Sequence, residues 1–349
     1  MARESGGHPM SLFACAPAAT PRSSSVSGLN ERICSVSSPA AGLNAALHAL
    51  LLRDPHPRPW LQALGIAAPA LAAERVRRLF TPGTSLQVLY CGGTLQGLCA
   101  AHTTAPLQQA LDERAWRLET VVAAEAPPGG SDALVARTLA AIRPQADRIY
   151  ARIPLDDVRV FHALRRSGFD TVGRDLLAVA EPGRARPHPR APVLPLGPEW
   201  IEPAADLLAR RPAAHPALVP GRRSPGWLRA AWRAWLECCI ADPERQGWLA
   251  VRDGRVAGLV FAQRDHRVQR LTGRGAASLA PVQTKGPCRA FDPLTALLQR
   301  VLCQLAESGI DLVTSRWPAG IGREAAPPAA ATGLGFRPAG AEWLLETVP

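Results

Sequence analysis

Apolar residues recur along the chain with two different periods. From Gly247 to Gln263, GWLAVRDGRVAGLVFAQ alternates apolar and polar positions as far as Gly254 and then resumes, which predicts two strands joined by a tight turn. Beyond Asp292 the period lengthens. Leu294, Leu297, Leu298, Val301, Leu302 and Leu305 form one stripe at helical spacing, Asp292 is a good N-cap, and Pro293 suits the first helical position. In the second half the pattern predicts a strand near 193–196, helices near 199–210 and 226–241, a hairpin over 247–265 and a strand over 275–281. A helix over 293–308, a strand over 310–315, a short helix before Gly333 and strand pairs complete that half. The first half reads similarly: a helix near Leu43–Leu52, a hairpin, a strand over 116–123, a helix over 132–143, a strand over 148–153, a helix over 157–166 and closing strands.

The likeness of the halves extends to residues. SGFDTVGRDLLAVAEP (167–182) aligns without a gap on LGFRPAGAEWLLETVP (334–349), sharing Gly168/Gly335, Phe169/Phe336, Gly173/Gly340, Leu177/Leu344 and Pro182/Pro349. LQVLYCGGTLQGLCAAH (86–102) matches the 247–263 hairpin, each with a Gly at the turn and another four residues on (Gly93 and Gly97; Gly254 and Gly258). The fold class expected is therefore α/β, as two tandem units each with a mixed, mostly antiparallel sheet flanked by helices. The expected boundaries are a disordered Ser-, Ala- and Pro-rich leader over 1–38, a first domain over 39–180, a Pro/Arg-rich linker over 181–192 and a second domain over 193–349.

Composition changes this picture little. A hydrophobic content of 47% fits a folded chain, and the formal charge of +11 is spread about evenly over the halves without a basic run, so nucleic acid is not an expected partner. Eight cysteines show no CxxC or zinc spacing, so no metal is expected. The longest apolar stretch, Leu61 to Ala73, is too short to span a bilayer and is broken by Pro69. The expected setting is the reducing cytoplasm, with no membrane partner; the oligomeric state is left open.

The one lysine among 40 basic residues stands in VQTKGPCRAFDP, just before the capped helix. Free amides at a helix N-terminus together with Lys285 and Arg289 can seat a pyrophosphate, although from the loop alone a plain strand-to-helix turn with solvated charges is the more ordinary reading. The order of strand, basic Gly-containing loop, amphipathic helix, strand, short helix and GLGF resembles the Gcn5-related N-acetyltransferase (GNAT) superfamily. Its pyrophosphate loop has the form Q/R-x-x-G-x-G/A, onto which Lys285-Gly286-Pro287-Cys288-Arg289-Ala290 falls; LGF at 334–336 and SGF at 167–169 match its closing G-F. The tandem layout is further similar to nucleotide-sugar amine acetyltransferases of the dTDP-fucosamine type, in which a degenerate first domain supports an active second one.

The resemblance implies acetyl-CoA or another acyl-CoA as co-substrate, and a small amine, with an amino sugar as one candidate, as acceptor. It places Ala280, Val282, Lys285, Gly286, Cys288, Arg289 and Ala290 on the cofactor and the Ala280 amide at the oxyanion. The chain departs from the family pattern in three ways. Cys288 replaces the second loop Gly, the first-half loop AEAPPGGSDAL lacks a cation, and Ala331 stands where a Tyr often protonates the leaving thiolate. Candidate substitutes are Cys288 as acid and Asp265 with His266 as a base pair, weighed against a packed thiol and a polar turn. Arg316 and Glu324 could meet substrate, and Trp227, Trp232 and Trp235 could wall a cleft, or pack the core. Two functions remain: an N-acyltransferase, favoured by the capped helix with Lys285, Gly286 and Arg289, and an inactive GNAT-fold binding or scaffold protein, favoured by the altered loops and the absent Tyr.

Overall fold

A computed structural model describes residues 31–103, 114–182, 193–210, 225–285, 292–318 and 329–347. The first half runs β1 (Glu31–Val36), α1 (Ala41–Arg53), α2 (Arg58–Leu64), α3 (Ala68–Leu79), β2 (Thr84–Cys91), β3 (Thr94–Thr103), β4 (Ala115–Val122), α4 (Gly130–Ile142), β5 (Arg148–Pro154), α5 (Val158–Arg166) and β6 (Asp170–Ala180). The second half runs β7 (Val193–Pro195), α6 (Ile201–Ala209), α7 (Pro225–Ala241), β8 (Arg245–Arg252), β9 (Arg255–Arg264), α8 (His266–Thr272), β10 (Ala276–Thr284), α9 (Pro293–Glu307), β11 (Leu312–Pro318), α10 (Ala329–Gly333) and β12 (Arg337–Thr347).

All twelve described strands form one sheet, ordered β1-β2-β3-β4-β5-β12-β6-β11-β10-β9-β8-β7. The two closing strands change places at its centre: β12 of the second half lies between β5 and β6, and β6 of the first half lies between β12 and β11. Each closing segment is thus a single long strand with neighbours on both sides, where strand pairs were expected; no hairpin partner is needed. Register shifts beside Gly340 and Leu344 let β12 follow β6 along its whole length.

Helices α4, α5, α9 and α10 cover one face, and α1 to α3 with α6 to α8 cover the other. The stripe on α9 packs as its spacing dictates: Leu297, Leu298, Val301, Leu302 and Leu305 are buried, while the Asp292 carboxylate accepts the Leu294 N–H at 3.0 Å. The paired glycines have one purpose in both halves. A Cβ on Gly97 would stand 2.8 Å from Leu134 Cδ1 of α4, and one on Gly258 would stand 2.7 Å from Leu297 Cδ1 of α9, so each lets a helix lie close on its hairpin.

Two expectations are corrected, and one run to which the periodicity assigned no element is placed. Residues 31–36, placed in the leader, form the edge strand β1, whose half-buried Ile33 and Cys34 pair in register with Leu89 and Val88 of β2. The apolar run 61–73 is two helices, because Gly65 at φ +68° ends α2 and Pro69 lies in the first turn of α3. Asp265 and His266 do not end a strand; they start α8, with Asp265 as N-cap. No described helix is long and apolar enough to cross a membrane.

Candidate functional site

Two pairs of parallel strands part in the same way. The β4–β5 pairing runs from Ala115/Arg148 to Leu118/Ala151 and stops; the β10–β11 pairing runs from Ala276/Leu312 to Leu279/Ser315 and stops. Beyond each last pair the sheet opens. Both openings look into one cavity of about 1060 Å³ over the centre of the sheet, on the face carrying α2, α3, α7 and α8. In this register Glu119 of the first half holds the place that Ala280 holds in the second, and Arg152 the place of Arg316.

The two openings differ in chemistry. Beside the second lie Ser278, Ala280, Pro281, Val282, Thr314 and Ser315, all uncharged, with Arg316 at the end, and Arg245 of β8 and Asp265 at the start of α8 line the cavity farther out on that side. Ala280 and Pro281, joined by a cis peptide, stand opposite the single residue Phe261, since Leu279 pairs with Ala262 and Val282 with Val260. This bulge comes where β11 no longer accompanies β10, and it leaves Ala280 exposed. Ser315 Oγ is buried there without a hydrogen-bond partner among the described residues. Beside the first opening lie Arg117, Glu119, Tyr150 and Arg152.

Between the openings, β6 and β12 add Asp175 and Glu342. Arg152 lies 3.5 Å from Asp175, and the Arg316 guanidinium donates to the Glu342 carboxylate. Burial pushes the Asp175 carboxyl up despite Arg152 and Arg316. Burial also works against charge on Glu342, but Arg316 and Arg152 outweigh it and hold that carboxyl low. Burial, with Arg316 nearby, brings Arg152 down to about 10. Of the two facing carboxyls, Asp175 is the weaker acid.

A second charged group lies toward α3. Arg75 donates to Asp54 at 2.7 Å and to Glu119 at 2.9 Å. Burial opposes the charge of Glu119, yet Arg75, Arg117 and Arg78 bring its carboxyl down to about 2. At the rim, His56 Nδ1 lies 3.2 Å from Asp156 and Nε2 3.4 Å from Asp157.

Of the residues singled out in the sequence, Ala280, Val282, Arg316, Asp265 and Trp235 line this cavity. Lys285 is exposed at the end of β10, its backbone N–H donating to Ala257 O at 2.9 Å. Gly286, Cys288, Arg289, Ala290 and Glu324 lie outside the described residues. Asp265 and His266 are not a base pair: the Asp265 carboxylate accepts the Val268 N–H at 3.0 Å, and His266 is turned to Glu244. Trp232 is core, and Trp235 stacks edge-on against Phe261 with centroids 5.0 Å apart. Ala331 is buried under the sheet with Phe336 and Trp317. The residues missed were Tyr150, Arg152, Asp175 and Glu342. The last two were legible, since the ungapped repeat places an acid at the same position in both copies of the closing strand. No group of three or more His, Cys, Asp or Glu among the described residues could hold a metal ion.

No family model matches the sequence, and no curated protein matches it. Solved structures do. A GCN5-related N-acetyltransferase from Sphaerobacter thermophilus is similar at a TM-score of 0.58 and 15% identity, over 90% of this chain and 95% of that one. A fungal multi-domain beta-N-acetylglucosaminidase with a GCN5-related glucosamine N-acetyltransferase region is similar at 0.54 and 10% identity, over 92% of this chain but only 38% of that one. Written twice in tandem and joined through exchanged closing strands, the fold of this chain is that of the GCN5-related N-acetyltransferases.

Proposed function

We propose that the protein is an acyl-CoA-dependent N-acyltransferase acting on a small amine, with the thioester arm entering the second opening and the amine approaching from the first. The observation that carries this reading is the contrast between the openings within one cavity. An uncharged, amide-bearing thioester arm suits the lining of Ser278, Ala280, Val282, Thr314 and Ser315, whereas Glu119 and Arg152 suit a polar acceptor. Lys285, exposed where β10 leaves the sheet, supplies a cation on the side from which the CoA phosphates would approach. The acyl-CoA supplies an activated carbonyl; the chain supplies position and charge.

In this reading Asp175 takes a proton from the bound ammonium, since burial has made it basic for a carboxylate. The amine nitrogen then bonds to the carbonyl carbon, and the backbone N–H of Ala280 donates to the developing oxyanion. Collapse breaks the carbon–sulfur bond, the thiolate takes a proton from Tyr150, which lines the same cavity although it comes from the first half, and the surplus proton on the new amide nitrogen passes to the Tyr150 phenolate while Asp175 returns its proton to solvent. Tyr150 thereby replaces the acid that Ala331 cannot be.

One observation favours the second reading, a binding module without catalysis: the family's tyrosine position is a buried alanine in packed core. Calorimetric titration with acetyl-CoA and with CoA separates the two, beside a Lys285→Ala, Arg289→Ala variant. Binding that the variant loses, followed by amine-dependent thiol release, supports the enzyme. Binding without turnover on any amine supports the module, and no binding sinks both.

A further inference from the structure

The side chains of Arg78 on α3, Arg117 on β4 and Arg267 in the first turn of α8 all line the cavity beside the first opening. None makes a hydrogen bond or an ion pair with a described residue, and Arg267 Nε is buried without a hydrogen-bond partner among them. The carboxylate they surround, Glu119, is already engaged by Arg75, which also holds Asp54. Four guanidiniums therefore face two carboxylates here. His102, the register partner of Arg117, adds no charge: burial brings it down to about 4.

Such an arrangement is costly in an empty protein. Burial lowers Arg267 to about 10, and the charge of Arg78 adds to the effect; burial and then Arg117 lower Arg78 in turn. Like charges converging on a concave wall from three separate elements, with donors left over, are complementary to an anion with several acceptor oxygens. The ordinary structural use of arginine, bridging carboxylates, is met here by Arg75 alone.

We infer that Arg78, Arg117 and Arg267 form an anion subsite, and that the amine acceptor carries a phosphate or carboxylate group that docks there. The assignment to the acceptor rests on the proposed acyltransferase function, for it takes the second opening as the place of the acyl-CoA. The anion would anchor the acceptor at the Glu119 end and leave the amine to reach toward Asp175.

The test is calorimetry on the full chain: first acetyl-CoA alone, then inorganic phosphate and glutarate, which carry no amine, added to the acetyl-CoA complex. The expected result is that phosphate or glutarate binds the complex and that Arg117→Gln and Arg267→Gln each weaken it about tenfold or more, as loss of a charge-assisted pair does. Acetyl-CoA affinity should stay unchanged. Removing one of several mutually repelling charges should leave the unfolding temperature equal or higher, whereas a structural role would lower it. Competition between the anions and acetyl-CoA would overturn the inference, because the arginines would then serve CoA phosphates. So would anion binding indifferent to both substitutions, or acetyl-CoA binding with no anion bound. Anion binding without any acetyl-CoA binding overturns the acceptor assignment through failure of the acyltransferase reading, and the first titration shows this separately.

Discussion

Asp175 of β6 and Glu342 of β12 are register partners at the middle of the sheet, and the alignment of 167–182 on 334–349 makes them one position written twice. Their arginines repeat as well. Arg152 and Arg316 each lie one residue past the last parallel pair of their own half, and each engages the acid on the closing strand of one copy. The duplication therefore builds a two-fold cluster of opposite charges under the cavity. Its members differ because Glu342 has a bonded guanidinium while Asp175 has one at 3.5 Å.

That difference predicts a pH profile. If Asp175 is the base, kcat should fall as pH falls through its raised folded pKa, placing the acid limb above the 3.8 of an ordinary aspartate. Asp175→Asn should abolish the limb and lower kcat by about 10²- to 10⁴-fold, with KM for acetyl-CoA unchanged. Glu342→Gln removes a negative neighbour that raises Asp175, so the limb should move to lower pH. A kcat profile of the three proteins checks this, and a limb in Asp175→Asn unchanged from wild type rejects Asp175 as the base.

Stability against acid should depend on Glu119. Its folded pKa is lowered to about 2 from an ordinary 4.5, so its contribution is full above 4.5 and is lost as pH falls toward 2. The shift corresponds to roughly 3 kcal/mol. Urea unfolding at several pH values between those limits should show wild type losing stability faster than Glu119→Gln. Parallel curves would mean that the arginines compensate one another without it.

The sequence made the second half more legible than the centre. The α9 stripe, its Asp292 cap and the hairpin glycines are local signals, and local signals survive folding. Helices α2 and α3 were lost because Gly65 and Pro69 break one apolar run into two short pieces. The start of α8 was lost because Asp265 and His266 follow a strand directly. The exchange of β6 and β12 could not be read at all, since either strand satisfies the same alternation beside β5 or β11. The cavity inherits that limit: Tyr150, Asp175 and Ala280 meet only through the exchanged pairing, so no spacing in the chain announced them together.

The close approach at Gly258 gives a packing test. Its Cβ would meet Leu297 Cδ1 at 2.7 Å and Gln283 O at 3.3 Å, so Gly258→Ala should push α9 off the hairpin and cost about 1–3 kcal/mol. Shortening the opposing side chain in Gly258→Ala, Leu297→Val should recover part of this, measured by urea unfolding. Because α9 is the next described element after Lys285 along the chain, the single variant should also bind acetyl-CoA more weakly than the double. Equal affinities would separate the helix position from ligand binding.

The exchanged strands also predict how the protein unfolds. Arg148 of β5 and Glu346 of β12 form an ion pair at 3.0 Å with side chains only 6% and 5% exposed, joining the first half to the last strand of the second. Glu346→Ala removes the carboxylate side of this buried contact and should destabilise the protein by about 1–3 kcal/mol. Loss of β12 strips both β5 and β6 of a neighbour, and loss of β6 strips β11, so neither half keeps its sheet when the other opens. Urea unfolding followed by tryptophan fluorescence and by far-ultraviolet circular dichroism should therefore give one coincident transition, which Glu346→Ala shifts to lower urea without splitting. Two transitions in the wild type would mean that each half holds its own closing strand in solution.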